Sequence, residues 1–163
     1  PEIEGFSITA GNASGMNDAA AAVMIVGSDL AAEQGLPVLA TVKAWAATAI
    51  DPALMGLAVL DVIPKVLDRA GITVADVALW EINEAFASVP VAACKKLGID
   101  ESIVNVFGSG CSLGHPVAAS GARMVISLMN ELGRRGGGYA VAAMCAGGGQ
   151  AGAVVLEIAD TRK

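Results

Sequence analysis

The chain has 163 residues, of which 55% are hydrophobic and 16% are charged, and its mean hydropathy is +0.63. These values exclude a disordered chain, which combines low hydrophobicity with high charge. Sixteen acidic residues against ten basic ones give a net charge of −6, which argues against nucleic acid and against an anionic membrane surface as partners. The length predicts one domain, or one domain with a piece of another.

The few cysteines and the single histidine limit the covalent and metal chemistry. Cys94, Cys111 and Cys145 are too scattered for a disulfide framework, and one histidine argues against a zinc site. We therefore expect reduced thiols, no bound metal and a cytoplasmic location. The first residue is Pro1 rather than Met, with no signal segment after it, so we expect that processing, a nick or a chosen boundary precedes it.

Two uncharged runs have the length of a membrane span, but their composition argues against one. Residues 136–156 contain seven glycines, three of them consecutive, which predict a turn between two short strands. Residues 104–122 include asparagine, serine, histidine and proline, which are poor lipid-facing residues. We expect no membrane partner.

Short elements separated by turn residues are predicted in the first part of the chain. Residues 7–10 are expected to form a short strand or an approach segment before a turn at 11–15. Residues 19–26 predict a short helix that passes into a buried strand. A surface helix that ends at a glycine is expected over 29–35, and strand character follows over 38–46.

The rest of the chain alternates helices with strands. Apolar residues at helical spacing predict a helix over 57–70, with Asp61 and Lys65 four apart on its outer face and Gly71 as its cap. The other predicted elements are a strand over 77–82, a helix from the 83–86 turn to residue 98, a strand over 103–107, a helix over 120–132 with Gly133 behind it, and strands over 139–144 and 151–158. This alternation predicts an α/β fold in which helices cover a mixed sheet.

Nearly all the reactive residue types lie in four loops that follow predicted strands, which is where α/β sheets place ligands. The loops are 11–15 with Ser14, 83–86, 114–116 and 145–149. His115 lies between a glycine and a proline, which remove bulk and fix the backbone, so the ring can face a cavity. A lone histidine is also often a hydrogen-bonded structural residue, so catalysis and structure both stay open for His115.

Cys145 and Asn83 also have two interpretations each. Three glycines follow Cys145, and their backbone N–H groups can bind a developing oxyanion beside a thiolate. The alternative is a small buried cysteine before a hairpin. Asn83 closes an apolar strand, so it either presents a polar side chain to a cleft or caps the helix that follows.

Four motifs together resemble the C-terminal half of thiolases, the family of acetyl-CoA acetyltransferases and 3-ketoacyl-CoA thiolases. They are TAGNASGMND at 9–18, NEAFA at 83–87, GHP at 114–116 with SGAR at 120–123, and CAGGG at 145–149. Each motif is weak alone, but the set is specific and covers nearly the whole chain. The resemblance implies the thiolase fold, with 1–36 as the end of the N-terminal domain and 37–163 as the C-terminal domain.

This resemblance implies an acyltransferase that runs a reversible Claisen condensation and thiolysis of 3-ketoacyl-CoA through an acyl-cysteine. It implies that His115 takes the proton of the nucleophilic cysteine and binds the thioester oxygen, aided by a water on Asn83. Cys145 would move the proton at the α-carbon of the second substrate, and the N–H of Gly147 would serve the oxyanion hole. The residues implied to line or flank the pantetheine channel are Ala13, Ser14, Gly15, Met55 and Phe86.

The same resemblance implies coenzyme A and acyl-CoA as substrates, no permanently bound cofactor, a place in fatty acid metabolism, and a homo- or hetero-oligomer (a dimer or tetramer). The family's nucleophilic cysteine and CoA-binding loop domain belong to parts that this chain lacks. Activity would therefore need an N-terminal thiolase chain or half as partner. A thiol with a pKa near 8.5 becomes a useful base only if neighbours lower its pKa, and His115 with the glycine N–H groups could do so for Cys145.

The chain departs from the family pattern at three places, of which the last two, Phe107 and Ala118, favour an altered acyl pocket. Residues 57–60 replace a Gly-Pro turn, Phe107 stands where asparagine is common, and Ala118 stands where glycine is common. The alternative function is a non-catalytic thiolase-like scaffold or partner subunit, in which the motifs persist for packing.

Overall fold

The computed structural model describes residues 5–162, so the prediction about Pro1 lies outside the described residues. Helices and strands alternate through most of this range, with short 3-10 turns between some of them. The helices are α1 (Ser28–Glu33), α2 (Val59–Ala70), α3 (Ser88–Leu97) and α4 (Val117–Arg135), and the strands are β1 (Ala40–Ala49), β2 (Val77–Ile82), β3 (Gly138–Ala146) and β4 (Gln150–Ile158). Within 5–162, no helix is long and apolar enough to cross a membrane.

The four strands form one mixed sheet in the order β1-β4-β3-β2. Strands β2 and β3 run parallel, whereas β4 is antiparallel to both of its neighbours, β1 and β3. The turn from β3 to β4 depends on Gly148 and Gly149, whose φ angles of 81° and 78° favour glycine. The predicted α/β fold with a mixed sheet is confirmed, and so are the strands predicted over 77–82, 139–144 and 151–158.

Helix α2 covers one face of this sheet with the apolar stripe that the sequence predicts. Val62, Ile63 and Val66 are fully buried against the strands. Gly71 then ends the helix in the left-handed conformation, with a φ of 70°. Burying three such side chains contributes about 1.5–3 kcal/mol each, so α2 is fixed by packing as well as by its cap.

Two polar side chains of α2 fasten it to the edge strand β1. The carboxylate of Asp61 accepts a hydrogen bond from the Thr48 hydroxyl, and Lys65 Nζ donates to the backbone oxygen of Ala47 at 2.9 Å. Asp61 and Lys65, predicted to lie four apart on the outer face of the helix, thus connect it to the sheet.

Helix α4 covers the opposite face. Its buried residues Met124, Leu128 and Leu132 pack against Ala140 and Ala142 of β3, whereas the alternate residues of β3 face α2. Because side chains alternate along a strand, the two helices lie on opposite faces of the sheet. The core is therefore two apolar layers, one on each side of the strands.

The sequence prediction placed both ends of α4 too far inside the helix. The helix starts at Val117 and runs through Gly133 to Arg135, so the prediction that Gly133 stops it is wrong. A Cβ at Gly133 would lie 2.9 Å from the Thr161 hydroxyl, so this glycine lets the C-terminal segment pack closely on the helix. The helix ends instead at Gly136, whose φ is 113°.

The strand predicted over 103–107 is wrong. The segment contains only one parallel bridge, between Trp80 and Val104. At the next residue, Asn105, φ is 50°, and its side-chain amide bonds both the N–H and the oxygen of Ile82 at 2.8 Å each. The amide thus takes the bonds that a longer strand would make with β2.

The short helix and buried strand predicted over 19–26 are also absent. Residues 17–27 have no regular secondary structure, and Met24 and Ile25 are 85% and 80% exposed. Residues 7–10 form no strand either, which leaves the approach-segment alternative. The predicted surface helix is confirmed as α1, and the strand predicted over 38–46 is confirmed as β1.

Candidate active site

Asn83 and Cys145 lie at the same end of the sheet. Asn83 directly follows β2, and its backbone N–H donates to the oxygen of Ala143 at 3.0 Å. Cys145 lies two residues beyond Ala143 on the parallel neighbour β3. Since the carboxyl ends of parallel strands meet at one edge of a sheet, the two candidates share the edge where α/β proteins bind ligands.

The loop that carries His115 is held by a segment 98 residues away in the chain. Met16 forms a parallel bridge with His115, and the Asn17 side-chain oxygen accepts from the His115 backbone N–H at 2.9 Å. Gly114 has a φ of 100°, and a Cβ there would lie 2.6 Å from that same Asn17 oxygen. The glycine before His115 is therefore required both by its conformation and by this close contact.

Both nitrogens of the His115 ring have a side-chain partner. Nε2 lies 3.3 Å from Nδ2 of Asn83, and Nδ1 lies 2.7 Å from Oγ of Ser120. Partial burial, reinforced by the positive charge of Arg123, lowers the pKa of His115 from its ordinary value. The ring is consequently neutral at physiological pH, which is the state that can accept a proton.

Asn83 is a buried polar residue with unused bonding capacity. It is 0% exposed, and its Oδ1 has no hydrogen-bond partner among residues 5–162. A buried polar atom without a partner costs about 1–3 kcal/mol, which indicates a site where something else binds. The alternative that Asn83 caps the following helix is wrong, because α3 starts after Ala87 and has no side-chain cap.

The loop at 11–15 packs directly on the 83–87 segment. Ser14 N–H donates to the oxygen of Ala85 at 3.0 Å, and Ala13 forms an antiparallel bridge with Phe86. Gly110 lies beneath them, with its Cβ position only 2.4 Å from the oxygen of Glu84. Three residues that the resemblance implies for the channel thus lie next to one another: Ala13 and Phe86 pair, and Ser14 lies beside them.

The remaining channel candidates are placed differently. Gly15 is exposed, and a Cβ there would approach only the side chain of Asn17. Met55 is half-buried in the 3-10 turn Pro52–Ala58 and packs against the core below α2. Phe107 is 51% exposed, and Ala118 is also exposed, so neither of these departures from the family pattern is part of the core.

Cys145 is less activated in this chain than the sequence analysis expects. It is 5% exposed within the core layer that faces α2, and burial raises the pKa of its thiol. Within the described part of the chain, no hydrogen bond joins it to His115. The expectation that neighbours lower its pKa is therefore not met by this chain alone. Gly147, by contrast, is exposed, with open space where its Cβ would be.

A buried ion pair lies beside these loops and was missed by the sequence analysis. Arg123 donates to Glu81 at 2.8 Å, and Glu81 is 2% exposed. Burial raises the pKa of Glu81 to about 7, while the charge of Arg123 opposes that rise. Arg123 also reaches the Ser109 hydroxyl at 3.5 Å. The signal available in sequence was a lone glutamate inside the apolar run of β2.

Two further residues of the site had no assigned role in the sequence analysis. Asn17 fixes the backbone of the His115 loop, and Ser120 contacts the His115 ring. Both lie inside motifs quoted for the resemblance, and only the contact across 98 residues shows what Asn17 does. In residues 5–162, no group of three or more His, Cys, Asp or Glu side chains could hold a metal ion.

An apolar groove of about 470 Å³ runs between α4 and the β1–β4 side of the sheet. It contains none of the candidate site residues, but Met144 and Ala146 in its lining flank Cys145, and Gly121 follows Ser120. Trp45, also in the lining, is 66% exposed. The groove therefore leaves an apolar part of the sheet uncovered next to the site.

The fold and the loops at this edge define a member of the thiolase family. The family model described as "Thiolase, C-terminal domain" matches residues 36–158. The chain therefore belongs to the thiolases, as its four motifs predict.

Individual relatives agree with this assignment. The acetyl-CoA acetyltransferase of Yarrowia lipolytica is 48% identical over 93% of this chain and 38% of its own length. The peroxisomal 3-ketoacyl-CoA thiolase B of Mus musculus is 45% identical over 94% of this chain and 37% of its own length. The crystal structure of the Bacillus anthracis acetyl-CoA acetyltransferase superposes with a TM-score of 0.90 at 42% identity, covering 93% of this chain and 39% of that one. The chain thus spans less than two fifths of the length of these relatives.

Proposed function

We propose that this chain is the C-terminal portion of a thiolase acting on 3-ketoacyl-CoA of the acetoacetyl-CoA type, in reversible Claisen condensation and thiolysis. The observation that carries the proposal is the contact between Asn83 and the ring of His115, at the edge of the sheet where Cys145 also lies. This grouping of an imidazole, an amide and a thiol supports the proposal, because the reaction needs a proton acceptor, a polar group for the thioester oxygen and an acid–base group. The similarity to acetyl-CoA acetyltransferases and 3-ketoacyl-CoA thiolases supports the same reaction class.

In the proposed reaction, His115 takes the proton of a cysteine on another polypeptide or on a preceding half. The resulting thiolate attacks the carbonyl carbon of the acyl-CoA thioester. During the attack, Nε2–H of the imidazolium donates a hydrogen bond to the thioester oxygen, together with a water held by Asn83. The bond to the CoA sulfur then breaks, the acyl group stays on the cysteine, and the CoA thiolate takes the proton from Nε2, which leaves His115 neutral again. The lowered pKa of His115 supports this role, because the ring is neutral before the step.

Cys145 is proposed to exchange the proton at the α-carbon of the second substrate. Its raised pKa keeps the thiol protonated at neutral pH, which suits the acid half of this role. The base half would require groups from the missing portion to lower that pKa. The backbone N–H of Gly147, an exposed residue, is proposed to serve the oxyanion hole of the acyl-cysteine.

Coenzyme A and acyl-CoA are proposed as substrates rather than resident cofactors. Ala13, Ser14 and Phe86 are proposed to line the pantetheine channel because they already pack together, with Gly15 and Met55 at its flanks. A solved relative, the Acat5 thiolase of Ascaris suum, is described in complex with coenzyme A at 35% identity to this chain.

The proposed partner is an N-terminal thiolase polypeptide that carries the nucleophilic cysteine. Two observations support a missing partner: the short span relative to the known enzymes, and the uncovered apolar groove beside α4. An exposed apolar surface next to a site is a common mark of an interface. A dimeric or tetrameric assembly and a cytoplasmic location are proposed on the resemblance and the free thiols, although the mouse relatives are named as peroxisomal.

The test begins with a denaturing intact-mass spectrum of the native sample, which shows whether a second polypeptide co-purifies. The pair is then assayed for thiolysis of acetoacetyl-CoA. Replacing His115 by Ala should lower the rate by about 10²–10⁴, the usual contribution of a general base. Replacing Lys96, an exposed residue of α3, by Ala is the control and should leave the rate unchanged. An inactive pair, or a His115→Ala variant with the full rate, would contradict the proposal.

One observation favours the alternative of a non-catalytic scaffold, namely that Cys145 is only 5% exposed, within the core layer that faces α2. Labelling with a thiol reagent separates the two functions. In an enzyme complex, Cys145 should react faster than the core residue Cys94 and should be protected by acyl-CoA. Equal and slow labelling of both cysteines would favour the scaffold.

A further inference from the structure

Ser120 lies between two groups that compete for its single hydroxyl proton. Its Oγ is 2.7 Å from Nδ1 of His115 and donates to the backbone oxygen of Pro116 at 3.1 Å. Ser120 is 2% exposed in the first turn of α4, so bulk water does not replace either partner. A hydroxyl that gives its proton to Pro116 can only accept at its other contact. Nδ1 of His115 must then carry a hydrogen.

The other side of the ring leads to the same tautomer. Nε2 of His115 faces Nδ2 of Asn83 at 3.3 Å, and an amide nitrogen has only hydrogens to offer. Nε2 must therefore present its lone pair. The distance is long for a hydrogen bond, so the contact is weak and another donor can replace Asn83 there.

We propose that Ser120 is a positioning residue that holds His115 in the Nδ1–H tautomer and leaves the lone pair on Nε2. The inference rests on the proposed function, because this tautomer is the one in which Nε2 can take the proton of a thiol. The S–H bond breaks, the N–H bond forms at Nε2, and the hydrogen on Nδ1 stays where it is. The oxygen of Ser120 then faces the Nδ1–H of the imidazolium and stabilises its charge.

The hydroxyl of Ser120 thus does for this ring what an acidic partner does in a Ser-His-Asp triad, but without a charge. A neutral partner fits the surroundings, since burial and, after it, the charge of Arg123 both lower the pKa of His115. A carboxylate in place of Ser120 would raise that pKa and favour the imidazolium before the reaction starts. The serine fixes the tautomer without changing the net charge of the ring.

The tautomer can be measured on the 163-residue chain by nitrogen NMR, because His115 is its single histidine. With uniform ¹⁵N labelling at about pH 8, above the ordinary histidine pKa of about 6.5, the two ring nitrogens are resolved by their couplings to the carbon-bound ring protons. The wild-type chain should show a protonated Nδ1 and an unprotonated Nε2. A spectrum dominated by Nε2–H would overturn the proposal. The same spectrum is expected if Oδ1 of Asn83, rather than Nδ2, faces the ring, because Nε2 would then have to donate.

Two alanine variants on the same helix complete the test. Ser120→Ala should shift the tautomer population toward Nε2–H, and Ser127→Ala, two turns along α4, should leave it unchanged. Far-ultraviolet circular dichroism of both variants checks that the fold is intact, and an unfolded Ser120→Ala leaves the wild-type spectrum as the deciding result. A folded Ser120→Ala variant with the wild-type tautomer would overturn the role of Ser120. The spectra need no thiolysis, so an inactive pair would contradict the proposed function and leave this inference standing.

Discussion

Two apolar segments of similar length differ in structure: one is a buried strand, and the other is exposed and irregular. Strand β2, Val77–Ile82, is buried at five of its six positions, and it lies beside β3 in the sheet. Residues 21–26 are comparably apolar, yet five of these six are exposed and none lies in a strand or helix. The difference shows that apolar composition does not make a strand. A strand also needs a neighbour for its backbone bonds and a layer to cover its side chains.

The largest difference in stability is expected between two variants, one with a substitution in β2 and one with a substitution in residues 21–26. Ile82→Ala removes a fully buried side chain and should lower the free energy of unfolding by about 2–5 kcal/mol. Ile25→Ala removes a side chain that is 80% exposed and should stay within about 0.5 kcal/mol of wild type. Urea unfolding of the two variants measures both. Equal losses in the free energy of unfolding would mean that residues 21–26 are packed in solution, which would contradict the difference between the two segments.

The buried carboxylate of Glu81 on β2 bears on the same comparison. Its burial costs free energy of folding, and the packing of the strand offsets that cost. The pKa of Glu81 is raised from 4.5 to about 7, so its contribution to stability is present below pH 4.5 and lost as the pH rises through 7. At 1.36 kcal/mol per pKa unit, the loss is at most about 3.4 kcal/mol. The effect of His115 has the opposite sign, since its lowered pKa costs stability as the pH falls.

Comparing wild type with Glu81→Gln isolates the glutamate, because His115 is present in both chains. Between pH 4.5 and 8, the wild type should lose stability relative to the variant. Unfolding curves at several pH values give this difference. A difference that is flat with pH would mean that Glu81 keeps an ordinary pKa in the folded chain.

Substitutions of glycine in the turn that connects β3 and β4 should have a smaller effect on stability. Gly149 has a φ of 78°, and its Cβ position lies 2.3 Å from the oxygen of Ile50, so Gly149→Ala should cost about 1–3 kcal/mol. Gly147 has open space at its Cβ position, so Gly147→Ala should be neutral or stabilising by up to about 1 kcal/mol. Thermal unfolding of both variants tests this, and a Gly147→Ala as damaging as Gly149→Ala would contradict the turn geometry.

The smallest effect should be at the surface of β1. Lys43 pairs with Glu157 of β4 at 2.9 Å, and both side chains are substantially exposed. Exposed ion pairs contribute little to stability, so Lys43→Ala should leave the midpoint of urea unfolding close to that of wild type. High salt should reduce even that change. A larger, salt-independent loss would indicate that the edge strand depends on this pair rather than on its backbone bonds to β4.

Elements whose sequence signals are local can be predicted without the structure. The helical spacing of α2 and its terminal Gly71, the apolar run of β2, and the glycines between β3 and β4 each act within a few residues, and the structure confirms them. The four motifs likewise identified the family, since each is a short, ordered set of residues. Such features need no knowledge of what packs against them.

The other features depend on contacts between residues that are far apart in the sequence, and these contacts exist only in the folded chain. Asn105 replaces a strand by bonding Ile82, and Gly133 stays inside α4 because Thr161 packs on it. Asn17 holds the His115 loop from 98 residues away. Ser120 contacts the ring of His115, and the spacing of the two residues in the sequence does not predict the tautomer of that ring. Residues 21–26 carry the local signal of a strand but lack a partner in this chain, and a strand forms only where its backbone groups and its apolar face are both satisfied.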